Sequence, residues 1–262
     1  METFTSLKLE QPHENILVVT LNRPEVRNAI NSVMMNELGR LWRGVFVDHG
    51  KIRCIILTGA GLAFCAGADL KERNVITLPA WKIQRAVFEQ AMLAMLDCPV
   101  PIVAAVNGAA FGGGLELTLA SDFAYATKTA IFSQSEVKVG LMPGALGTQH
   151  LPRACGIRRA KELTFTGATF TAQEAYEWGI VNKVCEPEQL MEEVIATAKV
   201  IAANAPLAVK QAKKSLNMSQ HLDVKSGFLY EIEAYNQLLL TKDRTEGIRA
   251  FNEKRQPMFV GE

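Results

Sequence analysis

Two carboxylates in this chain sit where carboxylates are awkward. Glu116 lies in FGGGLELTLASD, Phe111 to Asp122, after three glycines and amid the apolar Leu115, Leu117, Leu119 and Ala120. Glu136 lies in FSQSEVKVGLMPG, Phe132 to Gly144, also flanked by apolar residues and closed by a Pro-Gly turn. Two nearby carboxyls in a dry pocket can divide acid and base duties, because burial and mutual repulsion keep one protonated near neutral pH. On spacing alone each has a plainer reading. Glu116 can be a first-turn helix acid favoured by the dipole, and Glu136 an exposed strand or loop glutamate.

Two glycine-rich strand exits could supply a second part of such chemistry. They are CAGAD, Cys65 to Asp69, and FGGGLE, Phe111 to Glu116. Small residues let a ligand approach the backbone, and a helix N-terminus presents free N–H groups. Side by side, the two could aim two N–H donors at one oxygen, as an oxyanion hole does. Each alone reads as a tight turn.

Other machinery is missing. There is no GxSxG elbow, no Walker A and no HExxH. GAGLAF, Gly59 to Phe64, lacks the third glycine of a dinucleotide fingerprint. The four histidines, His13, His49, His150 and His221, lie far apart and read as ordinary surface or packed residues. Cys54, Cys65, Cys98, Cys155 and Cys185 form no CxxC pair and read as reduced core residues, so no metal site is expected. KQAKK, Lys210 to Lys214, reads as a solvated helix face.

Those residues need elements to position them. FTSLKLE and NILVVTLN read as a hairpin turning at Gln11 to Glu14. NRPEVRN is a polar loop, after which Ser32 reads as the N-cap of a helix to about Val47. RCIILTG and PIVAAVNG read as buried strands, and Pro79 to Leu96 carries helical spacing. The strand, loop, helix, strand pattern repeats, which argues for an α/β domain with helices packed outside its sheets. After about Gly167 the texture turns helical. Thr171, with Glu174 three residues on, reads as a capping box, and Asp243 as a further N-cap.

The chain's 262 residues allow one large domain or a main domain with an appendage. Its 28 basic and 27 acidic residues leave a net charge of +1, too little to draw in nucleic acid or an anionic membrane. The start METFTSLKLEQPHEN has no secretory character, and no apolar run reaches about 18 residues. The chain reads as cytoplasmic.

Four segments carry a resemblance. AFCAGADLKE, AAVNGAAFGGGLELTLASD, SEVKVGLMPGALGTQHLPR and DRTEGIRAFNEKRQPMFVGE resemble the crotonase (enoyl-CoA hydratase/isomerase) family, from roughly Val18 to the C-terminus. CAGADLKER and TKDRTEGIRAFNEKR resemble the branch that includes methylglutaconyl-CoA hydratase. The resemblance implies a crotonase-like spiral of ββα units over residues 1–200 and a C-terminal helical trimerisation region over 201–262. It implies homotrimers or hexamers, an acyl-CoA substrate and no separate cofactor, coenzyme A being part of the substrate. By the same matching, the Ala68 and Gly113 N–H groups would hold the thioester oxygen and Glu116 and Glu136 would share the attacking water. The Gly144 backbone would donate to that water. Ala66 would meet the adenine, and Arg27 and Lys71 the phosphates.

The implied activity is hydration of a 2,3-enoyl-CoA to a 3-hydroxyacyl-CoA, with Glu116 as base and protonated Glu136 as acid. A branched, carboxylated enoyl-CoA such as methylglutaconyl-CoA is the next candidate, then double-bond isomerisation, then an RNA-binding relative. The acyl pocket is expected to draw on the Trp81 to Met95 helix and the loop before it. One departure stands out: the family's PGAGGTQ reads PGALGTQ, and Leu146 could crowd the acyl end.

Overall fold

The computed structural model describes residues 4–262. The N-terminal alternation forms β1, Leu7–His13, antiparallel to β2, Ile16–Leu21. Their turn is at Glu14 and Asn15, later than the sequence predicts, because a register shift between Glu10 and His13 absorbs Gln11 and Pro12 into β1. An edge strand at an irregularity tolerates a proline, since no ladder donor is lost there.

Helix α1, Ser32–Val47, begins one residue earlier than expected. Asn31 is the N-cap and accepts from the Met34 N–H at 3.0 Å. Ser32 serves instead as a tie: its N–H donates to Glu72 and its hydroxyl accepts from Gln84. Met34, Leu38, Leu41, Trp42 and Val45 recur at helical spacing on the buried face. Glu37 is buried too, and accepts from the N–H and hydroxyl groups of Thr5 and Ser6.

The ββα repeat follows. β3, Cys54–Gly59, runs into the short β4, Ala63–Cys65, then into α2, Leu70–Val75, and α3, Leu78–Leu96. The next turn is β5, Ile102–Val106, then β6, Ala109–Phe111, and α4, Gly113–Ala120. A third is β7, Phe123–Thr127, and β8, Ile131–Ser133, leading through a 3-10 turn at Glu136–Val139 to α5, Gly147–Cys155, and α6, Ile157–Thr166. β9, Thr169–Thr171, α7, Ala172–Glu177, and β10, Lys183–Cys185, close the series. Long strands join one six-stranded sheet, β1-β2-β3-β5-β7-β10, and short ones a second, β4-β6-β8-β9. Each turn of chain therefore adds one parallel strand to both sheets, which is the spiral that the resemblance implies.

The large sheet is covered on both faces. Val19, Ile55, Leu57, Ala104 and Val106 point towards α1 and α3, and Val18, Ile56, Val103 and Ala105 towards α8, Leu190–Ala203. Alternating sides of each strand thus serve two cores.

Three helices complete the chain: α9, Pro206–Met218, α10, Val224–Asn236, and α11, Lys242–Glu253. Two expectations fail here. Thr241, not Asp243, caps α11; Asp243 is buried and takes the Val260 and Gly261 N–H groups at 2.7 and 2.9 Å, fastening the tail. Lys213 is not solvated, because it reaches back to Asp122 and to the Val100 carbonyl at 2.8 and 2.9 Å. The Thr171–Glu174 capping box is present. No helix among the described residues is long and apolar enough to cross a membrane.

Candidate active site

The site begins with a ladder between two loops. The loop after β2 lies along the loop after β4: Ala66 N–H donates to Arg27 O, Ile30 N–H to Gly67 O, and Asp69 N–H to Ile30 O. Buried Asn28 fastens this loop by donating to the Ala60 and Ala63 carbonyls, and Arg23 reaches the Asp69 carboxylate at 3.0 Å. The Asp69 side chain also accepts from the Lys71 and Glu72 N–H groups, so it caps α2. The small-residue segment Ala66 to Ala68 is thereby held rigid from one side.

From the other side the glycine turn ahead of α4 packs directly on it. Gly67 has φ 89°, and a Cβ there would lie 2.7 Å from Phe111 O and 3.5 Å from Gly113 N. Only a glycine permits that backbone and that approach. Ala68 and Gly113 consequently line one cleft. Neither N–H donates within the chain among the described residues. Two unspent main-chain donors face one cavity.

Both glutamates line the same cavity. Glu116, in the first turn of α4, is buried, and its Oε1 accepts from Ala145 N–H at 2.6 Å and Gly147 N–H at 2.9 Å. Burial pushes its carboxyl up to about 7; the two N–H groups oppose that, and the charge of Glu136 adds to it. A Cβ on residue 147 would collide with Glu116 Oε1 at 2.8 Å, so the seat of the carboxylate requires Gly147. Glu136 is half-buried beside Gly112. Its Oε1 accepts from Gln134 Nε2 at 2.8 Å, and its Oε2 is buried with no partner. Burial raises this carboxyl as well, against the pull of Gln134 and of the Arg73 charge. Glu136 is not the exposed strand or loop glutamate of the plainer reading, and Glu116, which is a first-turn helix acid as that reading has it, is buried in the cavity wall.

Gly144 also lines the cavity, and its carbonyl accepts from Arg85 Nη2. Ala66 lines it too; its N–H is spent on Arg27, which leaves its carbonyl to offer a ligand. Arg27 and Lys71 are exposed and stand outside the lining. α3 contributes Gln84, Arg85 and Phe88, and α2 contributes Leu70 and Arg73. Trp81 and Met95 do not contribute. Leu146 does not crowd the pocket either: it packs, half-buried, against the core.

Three residues were not singled out by sequence: Gln134, Arg73 and Arg85. Gln134 is fully buried and orients Glu136. Arg73 and Arg85 resemble any charge on an amphipathic helix, and Arg85 even makes an i,i+4 pair with Glu89. Nothing local separates them from a solvated face.

The arrangement can hold an oxygen that gains negative charge, and can give and take a proton beside it. The comparisons agree with that chemistry. The family model for enoyl-CoA hydratase/isomerase matches residues 11–262. YngF of Bacillus subtilis, whose name places it in the same group, is 44% identical over 252 residues, covering 95% of this chain and 96% of that protein. The short-chain-enoyl-CoA hydratase of Clostridium acetobutylicum is 39% identical over 246 residues, 92% of each. A crystal structure of enoyl-CoA hydratase from Bacillus anthracis superposes with a TM-score of 0.96 at 39% identity, covering 98% of this chain and 100% of that one. With its spiral of paired strands, its two free N–H groups and its buried acids, this chain belongs to the enoyl-CoA hydratase/isomerase family.

Proposed function

We propose that this enzyme adds water across the 2,3 double bond of an enoyl-CoA thioester to give the 3-hydroxyacyl-CoA. The observation that carries the reading is the meeting of two raised carboxyls and two unspent N–H groups in one cleft. The thioester oxygen lies between the Ala68 and Gly113 N–H groups. Ionised Glu116 takes a proton from water, and the water oxygen bonds to C3. The π electrons move to the thioester oxygen as an enolate, which the two donors stabilise; one such donor is worth about 3 kcal/mol in other enzymes. Protonated Glu136 then delivers its proton to C2, and the thioester carbonyl re-forms.

The split of roles follows the surroundings. Glu116 has two N–H donors that favour an anion and a carboxyl poised near neutrality, the range suited to a general base. Glu136 has a buried, unpartnered Oε2 that suits a proton. Gly144 N–H would steady the water. Arg27, on the first laddered segment, and Lys71, in the first turn of α2 beyond the second, are exposed and would meet phosphates while the Ala66 carbonyl meets adenine. Association into trimers or hexamers draws support from the apolar residues left open on α10 and α11, among them Phe228, Leu229, Tyr235 and Phe251.

The test follows the loss of enoyl-thioester ultraviolet absorbance with crotonyl-CoA. Turnover that Glu116→Gln and Glu136→Gln each reduce by orders of magnitude supports the reading. A wild-type protein that binds the thioester yet leaves its absorbance unchanged overturns it.

A further inference from the structure

A second cavity lies at the other end of the large sheet. Asn15, Arg53 and Pro101, which lead into β2, β3 and β5, bound it, whereas the catalytic cleft lies beyond the ends of β2, β4 and β6. The two linings share no residue. The first turn of α9 and the tail at Phe259 to Gly261 form its other walls. The cavity holds about 380 Å³, within the range of small-molecule sites, roughly 300–1,000 Å³. No step of the hydration draws on it.

Its lining joins an apolar wall to an excess of positive charge. Ile201, Leu207, Val209 and Phe259 supply apolar surface. Lys51, Arg53 and Lys210 share the lining with a single carboxylate, Glu14, and Lys51 pairs with that one. Arg53 donates to the Ala202 and Phe259 carbonyls at 3.0 and 2.8 Å, so it is held in place with no carboxylate bonded to it. Lys213 is spent on Asp122, but Lys210, one turn before it, makes no hydrogen bond and no ion pair among the described residues.

Two further features lack an acceptor. Helix α9 opens on Pro206 with no side-chain cap, and the Leu207 and Ala208 N–H groups have no acceptor among the described residues. Such a helix start favours negative charge. His49 also lines the cavity, and its Nδ1 is shielded from water without a partner, where a buried ring nitrogen ordinarily has one. An inorganic anion would leave the apolar wall against water, and an uncharged chain would leave the cations and the free N–H groups unmatched.

We propose that this cavity is a second ligand site, and that it takes an organic carboxylate with an apolar body. The carboxylate meets Lys210 and the first turn of α9, and the chain lies along Ile201, Leu207 and Phe259.

Octanoate is the probe, titrated by calorimetry into the full chain with unreactive butanoyl-CoA filling the catalytic cleft. Octanoate is expected to bind in the sub-millimolar range, more tightly than octanol or inorganic phosphate by about tenfold or more, and to weaken as salt is raised. Lys210→Glu should weaken it about tenfold and Lys210→Arg restore most of the loss. Phe228→Ser, in the open apolar patch of α10, should change nothing. Hydrogen exchange should slow on binding at the first turn of α9 and in the tail. Absence of octanoate binding overturns the proposal. So does equal affinity for octanol, which means apolar adsorption only, or equal affinity for phosphate, which means a bare anion site. Binding that butanoyl-CoA abolishes, or that Lys210→Glu leaves intact, places octanoate elsewhere and overturns it too.

Discussion

Glu37 and Glu116 are each 3% exposed, yet their carboxyls move in opposite directions. Burial pushes both up. At Glu37, under the N-terminal strand, four hydrogen bonds from Thr5 and Ser6, between 2.5 and 2.9 Å, outweigh it and the carboxyl ends below its ordinary value. At Glu116 two main-chain donors and the charge of Arg85 oppose burial, a second acid faces it, and the carboxyl rises to about 7. Burial alone does not make an acid reactive. The number of donors left to it does, and the fold has given one glutamate a full set and the other half of one.

The comparison breaks most visibly in catalysis. Glu116→Gln should cut kcat by about 10³-fold or more, the range for a general base, while Glu37→Gln leaves kcat within a few-fold in the folded protein. The same poise predicts an acid limb in kcat/KM near pH 7, where Glu116 becomes protonated, read from a profile between pH 5 and 9. A profile flat through pH 6 would remove Glu116 as the base.

Stability reverses the roles. Glu37→Ala strands the Thr5 and Ser6 donors and should lower unfolding free energy by about 3 kcal/mol at pH 7 in denaturant titration. Because the folded carboxyl is lowered, its contribution is present above the unfolded value of about 4.3 and fades as pH falls through the folded value. Glu116 has the opposite sign. Its raised carboxyl destabilises the fold progressively from about pH 4.5 up to about 7. Glu116→Gln should therefore be more stable than wild type at pH 8 by about 3 kcal/mol, with the margin gone below about pH 4.5. A variant less stable at pH 8 would mean that the anion is better served than its donors indicate.

The smallest effect is expected at Leu146, which holds φ 77° just before α5. Replacing it with glycine relieves about 1–2 kcal/mol of left-handed strain and gives up a half-buried side chain worth about 1 kcal/mol. Stability should rise by less than about 1 kcal/mol and kcat stay within twofold. A larger loss of activity would show that Leu146 holds the Ala145 and Gly147 donors on Glu116.

What the sequence displayed was whatever local pattern or motif order encodes. β3 and β5 announced themselves as short apolar runs, the capping box as Thr171 and Glu174, and Glu116 as a carboxylate out of place behind a glycine turn. Contacts between distant segments were illegible. Ser32 and Asp243 both have cap-like chemistry, but they lie inside the first turns, which Asn31 and Thr241 immediately precede and cap, and the two expected caps were taken up by α2, α3 and the tail. Lys213 read as solvent-facing and Arg73 went unremarked, because nothing within ten residues hints at Asp122 or at the cavity. Glu136 stood between these cases: motif order pointed to it, while its unpartnered oxygen belongs to packing alone.

The close approach of Gly67 to the turn at Gly113 has an evolutionary corollary. The two donors in that cleft are main-chain groups, so a single codon change at Ala68 to any residue but proline leaves the N–H in place. What mutation can reach is the spacing, through the glycines that let the two segments touch. The wall carrying Arg73, Phe88 and Met142 is built from side chains and is open to replacement one residue at a time. A lineage built on this chain could therefore change what it accepts many times over while the part that holds the oxygen stays nearly still.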